Sequence, residues 1–334
     1  MGLPLKIEGL VVPGGRGRVL LSVLVHFAGA KIYVRAYPGV FAGVMNHLLQ
    51  GSDAADVRVG PQLDLDDMPP HEFGYDWRRD LCAELARLDA RVNEQYAERE
   101  KLTGDGRIDL MAHSMGTQIT RYYLRYGTQP LPEDGSLPEL TWAGAEKVNQ
   151  AILIAPPNAG SPILFENLVH GKHVASGLPY YPSALISTFP SLFYMLPRVR
   201  HQTVVWSDTG EPVDIFDMDL WRQYQWGALA PEQDEMLSWV LPEATTREER
   251  LAIVDDHIAK SLRHAEQFQR AMDLPARPPP HLQLHLFAGD AQPTPSVFEV
   301  DRETGVVRLK ATAPGDGEVT RASALLDERA GGSL

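Results

Sequence analysis

Apolar positions along this chain hold strand-like or helix-like spacing over short stretches, and each change of spacing marks the edge of an element. Arg107 to Ala112 and Lys147 to Ala155 are short, nearly continuous apolar runs, as expected of strands buried on both faces. Between them, Met115 to Tyr126 carries helix-compatible residues. Upstream, Arg79 to Leu102 sets Leu81, Leu85, Leu88 and Val92 at helical spacing. Thr246 and Glu249 form a capping-box pair ahead of a long helix whose apolar face is Leu251, Val254, Ile258, Leu262, Ala265, Phe268 and Met272. Prolines from Pro275 to Pro280 end that helix, and His281 to Phe287 then reads as a strand. Val297 to Leu309 reads as a hairpin turning at Glu303-Thr304-Gly305, followed by the loop Pro314 to Val319. Nearer the start, Val19 to Val34 reads as two buried strands and Val40 to Leu49 as an amphipathic helix.

This alternation predicts an α/β fold with a doubly wound, mostly parallel sheet. Residues 161–245 break the pattern. They are rich in aromatics and prolines without clear period, as suits an inserted cap over an apolar pocket, and irregular packing against the sheet explains the composition equally well. The core is then expected in residues 1–160 and 246–334.

Composition narrows the function classes. Hydrophobic residues make up 44% of 334 positions, enough for a sizeable core. A net charge of −13 argues against nucleic acid as a partner and against electrostatic docking on anionic lipid. It leaves lipid substrates open, because acyl chains are recognised by apolar surface. Cys82 is the single cysteine and lies within a helical run, so a buried packing role is expected, with no intrachain disulfide and no cysteine metal cluster. No metal or cofactor is expected. The apolar stretch at 19–34 is too short and too interrupted for a transmembrane segment, and the first residues do not read as a signal peptide, so the expected location is cytoplasmic.

The chemistry concentrates at A-H-S-M-G, residues 112–116, where an apolar strand turns into a helix at a serine. This is a G-x-S-x-G nucleophile elbow with Ala112 in the first glycine place. A serine at such a turn needs tiny neighbours two positions either side, and Ala112 and Gly116 meet that need. The turn exposes Ser114 as nucleophile and leaves the Met115 backbone N–H at a helix N-terminus, ready to donate to an oxyanion. Leu10 to Gly15, an apolar strand ending in a Gly-rich turn, has the form of a second oxyanion donor and equally that of a surface turn.

An elbow serine needs a base and an acid to orient that base. Asp316, between two glycines after the last strand pair, is the candidate acid, with Asp290 as runner-up. None of the eleven histidines follows Asp316. His113 lies in the elbow and leaves it in the wrong direction. His257 and His264 read as solvated helix positions, His281 and His285 as structural strand positions, and His170 and His173 as cap residues.

Several segments together resemble the lecithin:cholesterol acyltransferase-like proteins, particularly their soluble bacterial members. They are Y-D-W-R-R-D at 75–80, A-H-S-M-G-T-Q-I-T-R-Y-Y-L at 112–124, W-A-G-A-E at 142–146, P-P-N-A-G-S at 156–161, F-P-S-L-F-Y-M-L-P at 189–197 and G-D-G-E-V at 315–319. The resemblance implies an α/β-hydrolase fold and acyl transfer from a lipid ester or phospholipid to an alcohol or water through an acyl-serine. It assigns Ser114 as nucleophile and Asp316 as triad acid. It also puts the base histidine some tens of residues beyond Asp316, where this chain has already ended, so truncation is expected at that end and also at the other. The charged residues of 75–80 are expected to brace the sheet edge through ion pairs. A non-catalytic lipid-binding or scaffold protein, or a base supplied by a partner chain, are the competing readings.

Overall fold

The computed structural model describes residues 20–25, 71–173 and 180–326. The helix expected at 40–49, most of the 19–34 stretch and the Leu10–Gly15 turn lie outside them. The strands are β1 (Leu20–Val25), β2 (His71–Tyr75), β3 (Ile108–His113), β4 (Val148–Ile154), β5 (Lys172–His173), β6 (Tyr180–Tyr181), β7 (Val204–Trp206), β8 (Gln283–Phe287), β9 (Gln292–Val300) and β10 (Val307–Gly315). The helices of five or more residues are α1 (Leu85–Thr103), α2 (Met115–Tyr126), α3 (Pro162–His170), α4 (Met218–Tyr224), α5 (Asp234–Val240), α6 (Arg247–Met272) and α7 (Arg321–Leu325).

A five-stranded sheet runs in the order β2-β1-β3-β4-β8, with every neighbouring pair parallel. Parallel strands need crossovers, which is why helical segments separate β2, β3, β4 and β8 in sequence. The strand order reverses at β1, so β1 and β3 flank a switch point. In open parallel sheets that is where the carboxyl ends of the strands leave a crevice for a ligand.

Alternation along the central strands separates two faces. Ile108, Leu110 and Ala112 of β3, with Ala151 and Leu153 of β4, join the main apolar core. All twelve residues of α2 are buried. Tyr122 stacks on Phe268 of α6 at 5.3 Å, and the Tyr126 hydroxyl donates to the Ala271 carbonyl at 2.6 Å. The other face carries a polar row: Gln150 Nε2 donates to Asp109, and His285 Nε2 bonds Gln150 Oε1. Gly144, in the W-A-G-A-E piece, packs so tightly on α2 that any side chain there would strike the Tyr123 carbonyl.

Within the described residues, most expected elements form close to their expected bounds. The stretch from Arg79 opens with a 3-10 turn at Leu81–Glu84, capped by Asp80, before α1 proper. The capping box at Thr246 forms and starts α6, 26 residues and about 39 Å long at 1.5 Å per residue. The C-terminal half of α6 packs on α2. Its N-terminal half holds residues 183–244 through Arg250–Asp234, Arg222–Asp255 and a His257 bond to the Ser187 carbonyl.

Residues 161–245 are built around an aromatic cluster. Phe165, Trp221 and Trp226 meet edge-on at 5.1 to 6.0 Å, and both indole N–H groups donate to backbone carbonyls. The hairpin of β9 and β10 is longer than its sequence pattern showed. It forms a three-stranded sheet with β7, in the order β10-β9-β7, and stands apart from the five-stranded sheet. Among the described residues no helix is long and apolar enough to cross a membrane.

Candidate active site

Strand β3 ends at His113, and the chain turns at Ser114 with φ 50° and ψ −125°. A non-glycine residue there carries strain of about 1–3 kcal/mol and persists only where its surroundings hold it. The hold is visible. The Ser114 N–H donates to the Ile154 carbonyl of β4 at 2.9 Å, and its carbonyl accepts from the Thr117 N–H at 2.9 Å and the Thr117 hydroxyl at 2.6 Å. Ala112 and Gly116 are both buried beside the turn. Met115 opens α2, so its N–H has no acceptor one turn back within the helix.

Asp316 reaches the same sheet edge by a longer route. The chain leaves β8 at Ala288-Gly289, runs out through β9, returns through β10, and arrives at Asp316 beside Gly289. A Cβ at Gly289 would lie 2.9 Å from the Asp316 Cβ. Asp316 Oδ1 accepts the N–H groups of Glu318 at 2.9 Å and Val319 at 2.8 Å. Those two bonds fix the carboxyl plane. β8 neighbours β4, which neighbours β3, and His113 pairs with Ile154, which pairs with Phe287. Burial lowers the pKa of the His113 imidazole, and the nearby charge of Asp316 opposes that shift. Asp290, the runner-up acid, starts the excursion that Asp316 ends.

The turn after β4 lies between these two. Ala155 has φ 48°, a second strained non-glycine position at this edge. Asn158 is fully buried; its amide donates to the Ala324 carbonyl at 2.7 Å and accepts from Arg121 of α2 at 2.6 Å. Burial pulls the Arg121 guanidinium down to about 9, with Arg198 and Arg125 adding to the shift. The Ser161 hydroxyl donates to the Glu318 carbonyl at 2.7 Å, joining this turn to the loop that carries Asp316. Sequence reasoning assigned no role to Ser161 or Asn158, although both fall inside P-P-N-A-G-S. Nor did it single out Thr294, whose buried hydroxyl accepts from the Gly317 N–H at 2.8 Å.

Among the described residues, the charged residues at 76–80 do not brace the sheet edge as expected. Asp76 pairs with Arg78 two residues on, an exposed local contact that lowers its carboxyl to about 2. Arg79 stands 3.7 Å from Glu84. The short spacing favours pairs within the turn over pairs across strands. Asp80 is the structural member. It caps the 3-10 turn through the Cys82 N–H at 2.7 Å and lies 3.9 Å from His264. Burial raises its carboxyl, but His264 and the Cys82 N–H together bring it below its usual range. Trp77 meets Phe189 edge-on at 5.2 Å, so Y-D-W-R-R-D touches F-P-S-L-F-Y-M-L-P. Cys82 packs against the core as expected, and burial pushes its thiol up.

The histidines divide as their positions require. His281 bonds the Ala145 carbonyl at 3.1 Å and His285 bonds Gln150, both structural contacts. His264 is exposed. His257 differs from expectation: it is half-buried, because residues 183–187 fold over that flank of α6 and offer it the Ser187 carbonyl at 2.9 Å. His170 lies 3.6 Å from Glu166 on α3. The His173 side chain lies outside the described residues. Among those residues no cluster of His, Cys, Asp and Glu is placed to hold a metal ion.

No curated protein matches this chain significantly. Among solved structures, a chain in the crystal structure of the Tle4–Tli4 complex superposes with a TM-score of 0.50 at 12% identity. The match covers 81% of this chain and 63% of that one, so this chain spans under two thirds of its structural relative. At that identity the likeness concerns the fold. The sequence matches the lecithin:cholesterol acyltransferase family over residues 71–316, a span that runs from the start of β2 to Asp316. The protein belongs to the lecithin:cholesterol acyltransferase family, whose fold is the α/β-hydrolase fold.

Proposed function

We propose that this protein is a serine-dependent lipid acyl hydrolase or O-acyltransferase working through an acyl-serine at Ser114. The observation that carries the reading is the strained serine at the end of β3, with an aspartate brought to the same sheet edge by a separate excursion of chain. Strain of this kind concentrates at functional sites.

Ser114 Oγ attacks the ester carbonyl carbon while a base accepts its proton. The carbonyl oxygen becomes an oxyanion, to which the Met115 N–H donates. Collapse breaks the acyl C–O bond, and the leaving alcohol takes the proton back from the base. Water or a second alcohol then releases the acyl group by the same steps in reverse. Asp316 orients the base through Oδ2, because Oδ1 is occupied by two backbone N–H groups. The family resemblance assigns the base to a histidine beyond Asp316. Residues 161–245, together with the hairpin that shares their sheet, form the cap that governs water access and so the choice between hydrolysis and transfer. The acyl donor is a lipid ester or phospholipid.

A fluorophosphonate probe tests the nucleophile. Labelling of Ser114 that vanishes in Ser114→Ala is the expected result, and Asp316→Asn should slow the reaction about 10²–10⁴-fold. An unlabelled native protein that still binds lipid would favour the non-catalytic reading.

A further inference from the structure

We infer that Thr294 and Ser161 are positioning residues for the triad acid, gripping the 315–319 loop from two sides so that the Asp316 carboxylate keeps one orientation. The inference rests on the reading of Asp316 as the acid.

Thr294 lies on β9 and is completely buried. Its hydroxyl accepts from the Gly317 N–H at 2.8 Å and donates to the Gln292 carbonyl at 3.1 Å. Both of its sequence neighbours are prolines, and Pro314 stands opposite Pro293, so this end of the hairpin has few N–H groups for a strand ladder. The hydroxyl does the joining instead. The loop is shaped around it: a side chain at Gly315 would strike Thr294 Oγ1 and the Val319 carbonyl. Ser161, on the turn after β4, is 1% exposed and donates to the Glu318 carbonyl at 2.7 Å. Lys172 also pairs with the Glu318 carboxylate at 3.1 Å, but that contact is partly exposed and contributes little.

The two hydroxyls thus hold the N–H of the residue after Asp316 and the carbonyl of the residue beyond that. Asp316 Oδ1 is in turn held by the Glu318 and Val319 N–H groups. Fixing the loop backbone therefore fixes the carboxyl plane. Buried hydroxyls are an unusual choice for filling space, since valine fills the volume of threonine without a polar atom to satisfy. Their placement on the acid loop makes sense if orientation there matters to within a fraction of an ångström.

The test is made in the polypeptide that carries the base histidine, and compares the native form with Thr294→Val, Thr294→Ser, Ser161→Ala and Asp316→Asn. The readouts are kcat and KM on a soluble p-nitrophenyl ester, fluorophosphonate labelling rate, Tm, and amide exchange at residues 316–319. Thr294→Val should lower kcat and labelling about 10–10²-fold with KM nearly unchanged, and should speed exchange at Gly317. Ser161→Ala should lower kcat about 10-fold. Thr294→Ser, which keeps the hydroxyl, should restore the rate. If Asp316→Asn slows the enzyme while Thr294→Val and Ser161→Ala do not, the positioning role is wrong. It is equally wrong if Thr294→Val collapses Tm and Thr294→Ser rescues stability without rescuing kcat. A native protein that neither turns over nor labels, or an Asp316→Asn variant at the native rate, removes the acid reading itself, and the inference goes with it.

Discussion

The turn at Ser114, the proposed nucleophile, and the loop at Asp316, the proposed acid, reach the same sheet edge by opposite means. Ser114 is set mostly by its neighbours: small residues at 112 and 116, a strand before it, a helix after it, and Thr117 reaching back to its carbonyl, with one bond from farther off, its N–H to the Ile154 carbonyl of the adjacent strand. Asp316 is set from afar. Gly317 is held by a residue 23 positions earlier and Glu318 by one 157 positions earlier, while Gly289 leaves room for the carboxylate. A locally held residue keeps its geometry wherever its few neighbours fold. A residue held from afar depends on the docking of several elements, and damage distant from the chemistry reaches it more easily.

The largest effect sits at the outermost support of the acid loop. Asp273 follows α6 and holds Arg198 at 2.8 Å, with Arg200 on its other side. The Arg198 N–H donates to the carbonyl of Ala159, two residues before Ser161. Burial raises the Asp273 carboxyl, but the two arginines outweigh it and hold it below its usual value. Asp273→Asn should cost roughly 3–5 kcal/mol in urea unfolding at pH 7, because it leaves a buried guanidinium without its counter-charge. A carboxyl lowered in the folded state stabilises above its unfolded pKa of about 4, and that stabilisation is lost as pH falls through the folded value. The gap between native and Asp273→Asn proteins should therefore narrow below about pH 4. A constant gap would mean that the lost interaction is not the ionised pair.

The next effect tests how tightly the acid loop is fitted. Gly289→Ala puts a methyl group 2.9 Å from the Asp316 Cβ, and the flexible end of a side chain is not what it meets. Displacement of the carboxylate by even part of an ångström should lower kcat on the order of 10²-fold, with a stability cost of about 1–3 kcal/mol. Native kcat in Gly289→Ala would show that the loop yields freely, and the contrast with the elbow would then fail.

The same contrast explains what the sequence could and could not reveal. The elbow was legible because its requirements are contiguous, and the long helix because Thr246, Glu249 and a single apolar face announce it. Asp316 stands out in the sequence through its two glycines and the family resemblance, and its role as acid remains the proposal made above; the partners that hold its loop carry no such signal. Thr294 sits in a Pro-Thr-Pro stretch that carries no period, and Ser161 carried no signal apart from its motif. Residues 161–245 hid their order because their core is made of aromatic contacts at irregular spacing. The pairing of β7 with β9 joins residues nearly a hundred positions apart, which no local pattern encodes. The burial of His257 is hidden from the sequence for the same reason: its helix flank is polar by composition and is covered by a distant turn.

The smallest effect is a reversal of sign at the elbow itself. At an ordinary strand or helix position, glycine is less stable than alanine by roughly 0.5–1 kcal/mol because it loses more backbone freedom on folding. At φ 50° the balance should invert. Alanine keeps the strain that serine carries there, whereas glycine adopts that conformation without a Cβ clash and relieves about 1–3 kcal/mol. After the entropic cost of glycine, Ser114→Gly should be more stable than Ser114→Ala by about 1 kcal/mol. Both variants lack the proposed nucleophile, so the comparison is free of any change in catalysis. At Thr117, one turn into α2, the same pair of substitutions should give the usual order, with alanine ahead. Chemical unfolding of the four proteins decides it. If alanine is ahead at both positions, Ser114 carries no strain, and its placement would depend on distant support as that of Asp316 does.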